Sequence, residues 1–244
     1  MKTMSKELFE AKTRPIRVMQ FGEGNFLRAF ADYFIDIANE KGVTDLGIAI
    51  VKPIAFGSLE RFHNQDNLYT VVLRGQMDGK VVNDARVITS VQKAVDCYGE
   101  YADFMETACL DTLKIVISNT TEAGIVYDET DKYESEPPAT YPGKLTKVLH
   151  ARYKKFNGAA DKGLIIIPCE LIEHNGDKLH TCVDQFIDLW SLGDDFKKWV
   201  NDSCTFCCTL VDRIVTGYPR DNVEETTSKF LSKHIYWKPT TLTR

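Results

Sequence analysis

Apolar and polar residues fall in alternating blocks along this chain. Ile16 to Phe21 (IRVMQF) is a short apolar run bounded by Pro15 and Gly22. The stretch that follows, NFLRAFADYFIDIANEKG, places Phe26, Phe30, Tyr33, Phe34 and Ile37 three and four residues apart, the spacing of one helix face. The pattern predicts strand, tight turn and helix, with Gly42 ending the helix as a C-cap. A second apolar run, Leu46 to Val51, supplies the next strand and closes a βαβ unit, which predicts parallel pairing.

The period changes between Leu68 and Val91. There, LYTVVLRG and KVVNDARVITSV flank the turn Met77-Asp78-Gly79, predicting a hairpin inserted into the α/β run. A helix near Tyr98 to Ala108 leads into a buried strand at Leu113 to Ile117 and the polar loop SNTTEAG. Asp128 to Pro142, acidic and with three prolines, reads as an exposed loop. Helices at Leu145 to Phe156 and Asp177 to Leu192 flank a strand at Leu164 to Ile167. The fold class expected is α/β: a Rossmann-like, doubly wound, mainly parallel sheet with an inserted β-hairpin, holding ligands across its strand ends.

Composition narrows the function classes. With 43% hydrophobic and 27% charged residues in 244, the chain has the make-up of a globular domain. A formal net charge of −5 gives no electrostatic case for nucleic acid or for an anionic membrane surface. The charged N-terminus has no apolar signal segment, and no run reaches the roughly 18 apolar residues of a membrane span. Seven cysteines, odd in number and mostly within apolar runs, suit reduced thiols, and the expected location is the cytoplasm. Cys204, Cys207 and Cys208 have the spacing of half a zinc site, but no second pair completes it in sequence, and no metal is expected.

Gly22-Glu23-Gly24 sits where a strand turns into a helix, the place where a dinucleotide pyrophosphate is cradled by backbone N–H groups. Gly22 permits the sharp turn and Gly24 the close approach. The third small residue of the fingerprint is replaced by Leu27, which keeps helix and strand from packing in the usual way. Arg28 is placed either to reach a phosphate or to be solvated. At the end of the second strand, where an acid would hold ribose hydroxyls, stands Lys52, either a partner for a 2′-phosphate or a surface lysine. Ser118, Asn119 and Thr120 follow a buried strand and can face a nucleotide or cap the next helix. Glu170, Glu173, His174 and Asn175 form a polar site or a plain turn. His63, His150, His180 and His234 stand apart and read as structural.

Taken in order, FGEGNFLRAF at 21–30, SNTTEAGI at 118–125, IIIPCELIEHNGD at 165–177 and CTLVDRIVTGYPR at 208–220 resemble the mannitol dehydrogenase family of long-chain polyol dehydrogenases, within it the branch that reduces tagaturonate. The resemblance runs from about Ile16 to about Glu225. It implies an NAD-binding Rossmann domain over 1–225, with 226–244 a divergent tail and not a domain. It also implies NADH-linked interconversion of D-tagaturonate, a sugar acid, and D-altronate. Coenzyme would be held by the segment Met19, Gln20, Phe21, Gly22, Glu23, Gly24, Asn25, Phe26, Leu27, Arg28, Ala29 and Phe30, with Ser118, Asn119 and Thr120 beside it. Asp212 matches a family aspartate near substrate, although an Asp-Arg pair at a strand end also caps or pairs.

Two departures stand out. Leu171 occupies the place of an asparagine that steadies the alkoxide in the polyol dehydrogenases, and CELI is the wording of the tagaturonate branch. The catalytic lysine motif of the family, K-x4-N-x2-H, lies in its C-terminal helical domain and does not occur here. Lys114-x4-Asn119 is a near miss, with Glu122 for the histidine. On a strand those two lie about 16 Å apart, too far to act together. The expectation is therefore an N-terminal fragment that lacks activity alone. The alternatives are a non-catalytic nucleotide-binding or sensing module and, less in keeping with four motifs in order, a methyltransferase.

Overall fold

The computed structural model describes residues 4–9, 11–77, 79–121, 124–217 and 239–243. After a single helical turn, α1 (Lys6–Phe9), the first apolar run forms β1 (Ile16–Phe21). The helix that follows is broken in two, α2 (Asn25–Ala29) and α3 (Ala31–Glu40), and leads to β2 (Gly47–Lys52). The break falls at Phe30, whose φ of −112° and ψ of −82° leave the helical region. Gly42 does end α3: its N–H reaches Asn39 O at 3.1 Å and that of Val43 reaches Ala38 O at 2.9 Å, closing a Schellman turn.

A short α4 (Glu60–His63) precedes the hairpin of β3 (Tyr69–Met77) and β4 (Lys80–Ile88), whose register runs from Tyr69 opposite Ile88 to Met77 opposite Lys80. The expected β-rich stretch hides a boundary. Val91–Asp96 is a separate strand, β5, which leaves the hairpin and pairs in parallel with β2. Then come α5 (Tyr101–Ala108), β6 (Ile115–Ser118), α6 (Tyr141–Lys155), β7 (Ile165–Pro168), α7 (Asn175–Leu189), α8 (Asp194–Ser203) and β8 (Thr205–Phe206). Of the tail, 239–243 adds β9 in parallel to β3, and the remainder lies outside the described residues.

The main sheet has the order β5-β2-β1-β6-β7-β8, with every neighbouring pair parallel. Strand order therefore reverses between β1 and β6, and the loops leaving these two strands diverge to opposite faces. Side chains of β1 alternate accordingly. Met19 and Phe21 enter the core under α5 to α8 with Phe104, Leu145, Val183 and Phe196. Val18 enters the opposite core with Leu27, Ile50 and Val71 of the hairpin.

Two segments bury what their sequence pattern exposes. The aromatic stripe of α3 leaves Phe34 half exposed, while the fully enclosed side chains are Asp32, Asp36 and Asn39. Long-range partners explain the inversion. Asp36 receives Arg86 Nε at 2.7 Å, the N–H and hydroxyl of Thr89 at 2.8 and 3.0 Å, and the Ser90 N–H at 3.1 Å, clamping hairpin to helix. Likewise 128–142 is not simply exposed: Asp131 is buried and accepts from the N–H groups of Ala139 and Thr140, both at 2.8 Å, ordering the entry to α6.

Asp32 lies wholly buried on α3, accepting a hydrogen bond from Tyr69 Oη, and burial pushes its pKa up to about 7. Its Oδ1 has no hydrogen-bond partner among the described residues. His150, its ring tilted against that of Phe196 at 4.8 Å, is driven the other way by burial, down to about 4. The fold thus holds Asp32 protonated, an advantage whole below about pH 4 and lost as pH rises through 7. Neutral His150 gives an advantage whole above about pH 6.5 and lost as pH falls toward 4. The two oppose each other in the same window. Asp32→Asn is expected to unmask His150: in urea unfolding, the variant loses stability on acidification from about pH 6.5 to pH 4 by about 2–3 kcal/mol more than the wild type. Parallel pH profiles for the two proteins would refute the protonated Asp32.

Candidate functional site

The carboxyl ends of β2, β1, β6 and β7 are laced together by the first residues beyond them. Gly22 N–H donates to Val51 O at 3.0 Å, Asn119 N–H to Phe21 O at 3.1 Å and Cys169 N–H to Ser118 O at 2.7 Å. Asn119 Nδ2 adds a bond to Cys169 O at 2.7 Å. The result is a firm floor under the crevice at the strand-order reversal, where α/β sheets of this topology hold ligands.

Two clefts open on this floor and share Asn119 and Thr121. One, of about 420 Å³, is lined by Gly22, Glu23 and Gly24 on one side, Pro53 and Ile54 beyond β2, and Thr140, Tyr141 and Lys144 from the start of α6 opposite. The other, of about 540 Å³, lies over β7 and is lined by Phe26, Cys169, Leu171, Val211 and Asp212.

The turn after β1 is built as a phosphate cradle requires. Gly22 has φ +118°, and a Cβ there would stand 3.0 Å from Asn119 O, so only glycine lets β1 and β6 end side by side. Gly24, in extended conformation, would present a Cβ to open space with nothing within 4 Å. As the N-cap of α2 it brings no side chain to the helix start, whose N–H groups can meet an anionic ligand. A dinucleotide pyrophosphate fits this arrangement.

The residues expected to hold coenzyme therefore divide. Gly22, Glu23 and Gly24 line the first cleft and Phe26 the second. Met19, Phe21, Leu27 and Ala29 are core, and Leu27 fills the space where a small residue would let the helix approach. Gln20 is buried, its Nε2 donating to Gly22 O at 3.1 Å and so bracing the turn from behind. Phe30, at the helix break, stacks on Phe26 with ring centroids 5.4 Å apart. Arg28 neither reaches into a cleft nor floats in solvent: Nη2 donates to Asn25 Oδ1 and the guanidinium lies over Phe62 and Tyr69, 5.6 and 5.4 Å from their rings.

Ser118 and Thr120 are engaged by a residue the sequence left undecided. Glu170, 2% exposed, accepts from Ser118 Oγ at 3.0 Å and from both the N–H and Oγ1 of Thr120 at 2.9 Å. Asn119 and Thr120 face the cleft while Glu170 holds their loop from beneath. Glu170→Ala is expected to cost about 1–3 kcal/mol, the order of leaving buried donors unpaired, and to weaken nucleotide binding by loosening 118–120. Glu170→Gln, which keeps the shape and an acceptor, is expected to retain most of both. Equal unfolding midpoints and equal affinities in all three proteins would count against this anchoring role.

Lys52 is not a surface lysine. It is 1% exposed, donates to Ile54 O at 2.7 Å and pairs with Asp96 Oδ2 at 3.1 Å. Partial burial opposes ionisation of Asp96, but bonds from the N–H groups of Tyr98 and Gly99 and from Lys52 outweigh it and hold its pKa below the ordinary value. Asp212 is exposed at the edge of the second cleft, and the neighbouring Arg213 turns away to lie over Tyr33 and Phe34. Leu171, 60% exposed, occupies the same cleft. His63 and His180 have structural settings, against Ala94 O at 3.2 Å and stacked on Phe206 at 4.4 Å. His234 lies outside the described residues.

An all-parallel sheet of this order, with a glycine turn at its reversal point, defines a Rossmann-type nucleotide-binding domain. The model of the mannitol dehydrogenase Rossmann domain matches residues 16–237, and the chain belongs to that family. Altronate oxidoreductases of Enterobacter sp. (strain 638) and Escherichia coli O1:K1 / APEC are 48% and 47% identical to it over 224 residues, which is 91% of this chain and 46% of theirs. The chain thus spans about half the length of the curated relatives it matches. Among solved structures, mannitol 2-dehydrogenase of Pseudomonas fluorescens, in a ternary complex with NAD and D-mannitol, superposes with a TM-score of 0.78 at 19% identity, covering 100% of this chain and 53% of that one. A D-sorbitol dehydrogenase in substrate-free form gives 0.72 at 20% identity, covering 99% and 51%. No helix among the described residues is long and apolar enough to cross a membrane.

Proposed function

We propose that this chain is the coenzyme-binding part of an NAD-dependent oxidoreductase that interconverts D-tagaturonate and D-altronate in the cytoplasm. The observation that carries this reading is the meeting of two clefts at Asn119 and Thr121, one glycine-lined and one bearing an acid. NAD, when bound, supplies the hydride acceptor, and NADH the donor. The backbone of Gly22 to Gly24 would hold its pyrophosphate, and Asn119 and Thr120 would border it from the other strand. In the second cleft, Asp212 accepts hydrogen bonds from sugar hydroxyls, while Phe26, Leu171 and Val211 keep water from the reacting carbon. Seven free thiols and the 47–48% identity to altronate oxidoreductases support the compartment and the substrate class.

The Lys52–Asp96 pair favours NADH over NADPH. A 2′-phosphate beside β2 would meet an ammonium already spent on Asp96 and Ile54 O, and a carboxylate that repels it. Calorimetric titration of the 244-residue chain is expected to give saturable NADH binding, with NADPH weaker by roughly tenfold or more, about 1.4 kcal/mol. Tighter binding of NADPH would overturn the coenzyme preference. Absence of binding by either, from a chain with a cooperative unfolding transition, would overturn the proposed role.

A further inference from the structure

A side-chain cluster outside both clefts is brought together by the fold from positions 34 residues apart in sequence. His174, Asp177 and Cys208 place one ligand atom each within 4.8 Å of one another, all three exposed. We propose that they form a binding site for a zinc-class divalent cation.

The placement is built, not incidental. Asn175, fully buried at the start of α7, donates through Nδ2 to Pro168 O, Glu170 O and Thr209 O, and its Oδ1 accepts the Thr209 N–H at 2.9 Å. On the other side, a Cβ on Gly176 would stand 2.5 Å from Cys207 O and 2.9 Å from Cys208 N, so the backbone at 207–208 lies directly on the first turn of α7. Cys208 is thereby fixed on both flanks with its thiol outward. His174 precedes α7 in the left-handed region, φ 52° and ψ 44°, and Asp177 lies in the first turn.

The donor set selects the ion. Imidazole and thiolate together favour borderline-soft Zn2+ over Mg2+ or Ca2+, which take oxygen ligands. His174 Nδ1 and Asp177 Oδ2 are 3.5 Å apart, close to the separation of about 3.4 Å between two ligands on one tetrahedral zinc. A small rotation of the exposed Cys208 side chain completes the triad, leaving a fourth position for water. The net −2 of carboxylate and thiolate balances the cation, and the thiol proton is released to solvent on binding. The spacing of Cys204, Cys207 and Cys208 lacked partners in sequence; here the partners come from the residue before α7 and from its first turn. A metal at this place would fasten the segment leading to Val211 and Asp212 onto α7.

Cobalt(II) is the probe, added to the full chain with its cysteines reduced by a phosphine. One equivalent is expected to give a thiolate-to-cobalt charge-transfer band, displaced by Zn2+. Cys208→Ser should abolish the band, while His174→Asn, which tolerates the left-handed backbone, and Asp177→Asn should bind Co2+ roughly tenfold or more weakly. Zn2+ should raise the unfolding temperature of the wild type and not of Cys208→Ser. No band at large molar excess, or a band that survives Cys208→Ser and so belongs to Cys204 or Cys207, overturns the proposal. None of these readouts depends on coenzyme binding.

Discussion

Replacing Gly24 by alanine is expected to abolish most NADH affinity while leaving the fold as stable as before. The added methyl meets no atom within 4 Å, and the backbone, at φ −65° and ψ 165°, is open to any residue. Stability should therefore stay within about 0.5 kcal/mol of wild type. The same methyl stands where a pyrophosphate must approach the backbone, so binding should weaken by roughly tenfold or more. Gly22→Ala is the contrasting control. At φ +118°, with Asn119 O 3.0 Å from the new Cβ, it is expected to lose about 1–3 kcal/mol of stability as well as binding. Unfolding midpoints alongside NADH titrations of the three proteins check the pair. Undiminished affinity in Gly24→Ala would mean that the coenzyme does not use this turn.

The largest loss of stability is expected at Arg152, far from either cleft. This side chain on α6 is fully buried, yet it faces carbonyls and not a carboxylate. Nη1 donates to Ala108 O at 2.8 Å and Leu110 O at 2.9 Å, Nη2 to Leu113 O at 3.2 Å, and Nε and Nη2 to Lys162 O at 3.3 and 3.2 Å. Burial lowers its pKa from the usual arginine value, while the carbonyl end of α5 favours a cation there. One planar fork thus gathers the exit of α5, the start of β6 and the turn before β7. Arg152→Ala leaves those acceptors buried and unpaired, at a cost of about 3–5 kcal/mol, or roughly 10 °C in midpoint for a domain of this size. Arg152→Lys cannot span four carbonyls and should recover less than half of that. A shift of only a degree or two in Arg152→Ala, by thermal or urea unfolding, would contradict this account.

Local patterns made the frame of the fold legible. The run IRVMQF, the glycine turn and the helical spacing after it lie within thirty residues, and each is decided by neighbours in sequence. The βαβ unit, the hairpin and the strands at 115–118 and 165–168 all follow from such short-range signals. Where reading failed, distant residues decide. Val91–Asp96 merges with the hairpin in sequence because β4 and β5 are separated by only Thr89 and Ser90. The buried face of α3 is inverted because Arg86, Thr89 and Ser90 satisfy Asp36 across fifty residues or more.

The same divide runs through the site. Gly22 and Gly24 could be named from sequence, since their demand is for backbone shape alone. That Ser118 and Thr120 are held by Glu170, that Lys52 is spent on Asp96, and that Cys208 reaches His174 all depend on which loops share the strand ends. Leu27, where the fingerprint has a small residue, was legible too, and it is a core side chain of α2.

Hydrogen exchange of the full chain with and without NADH tests the central claim most directly, because it reports where the coenzyme sits as well as whether it binds. New protection is expected in peptides covering Gly22 to Arg28 and Asn119 to Thr121, with the β3–β4 hairpin unchanged. Saturable binding that leaves both of those segments unprotected, or that protects the hairpin instead, would contradict it.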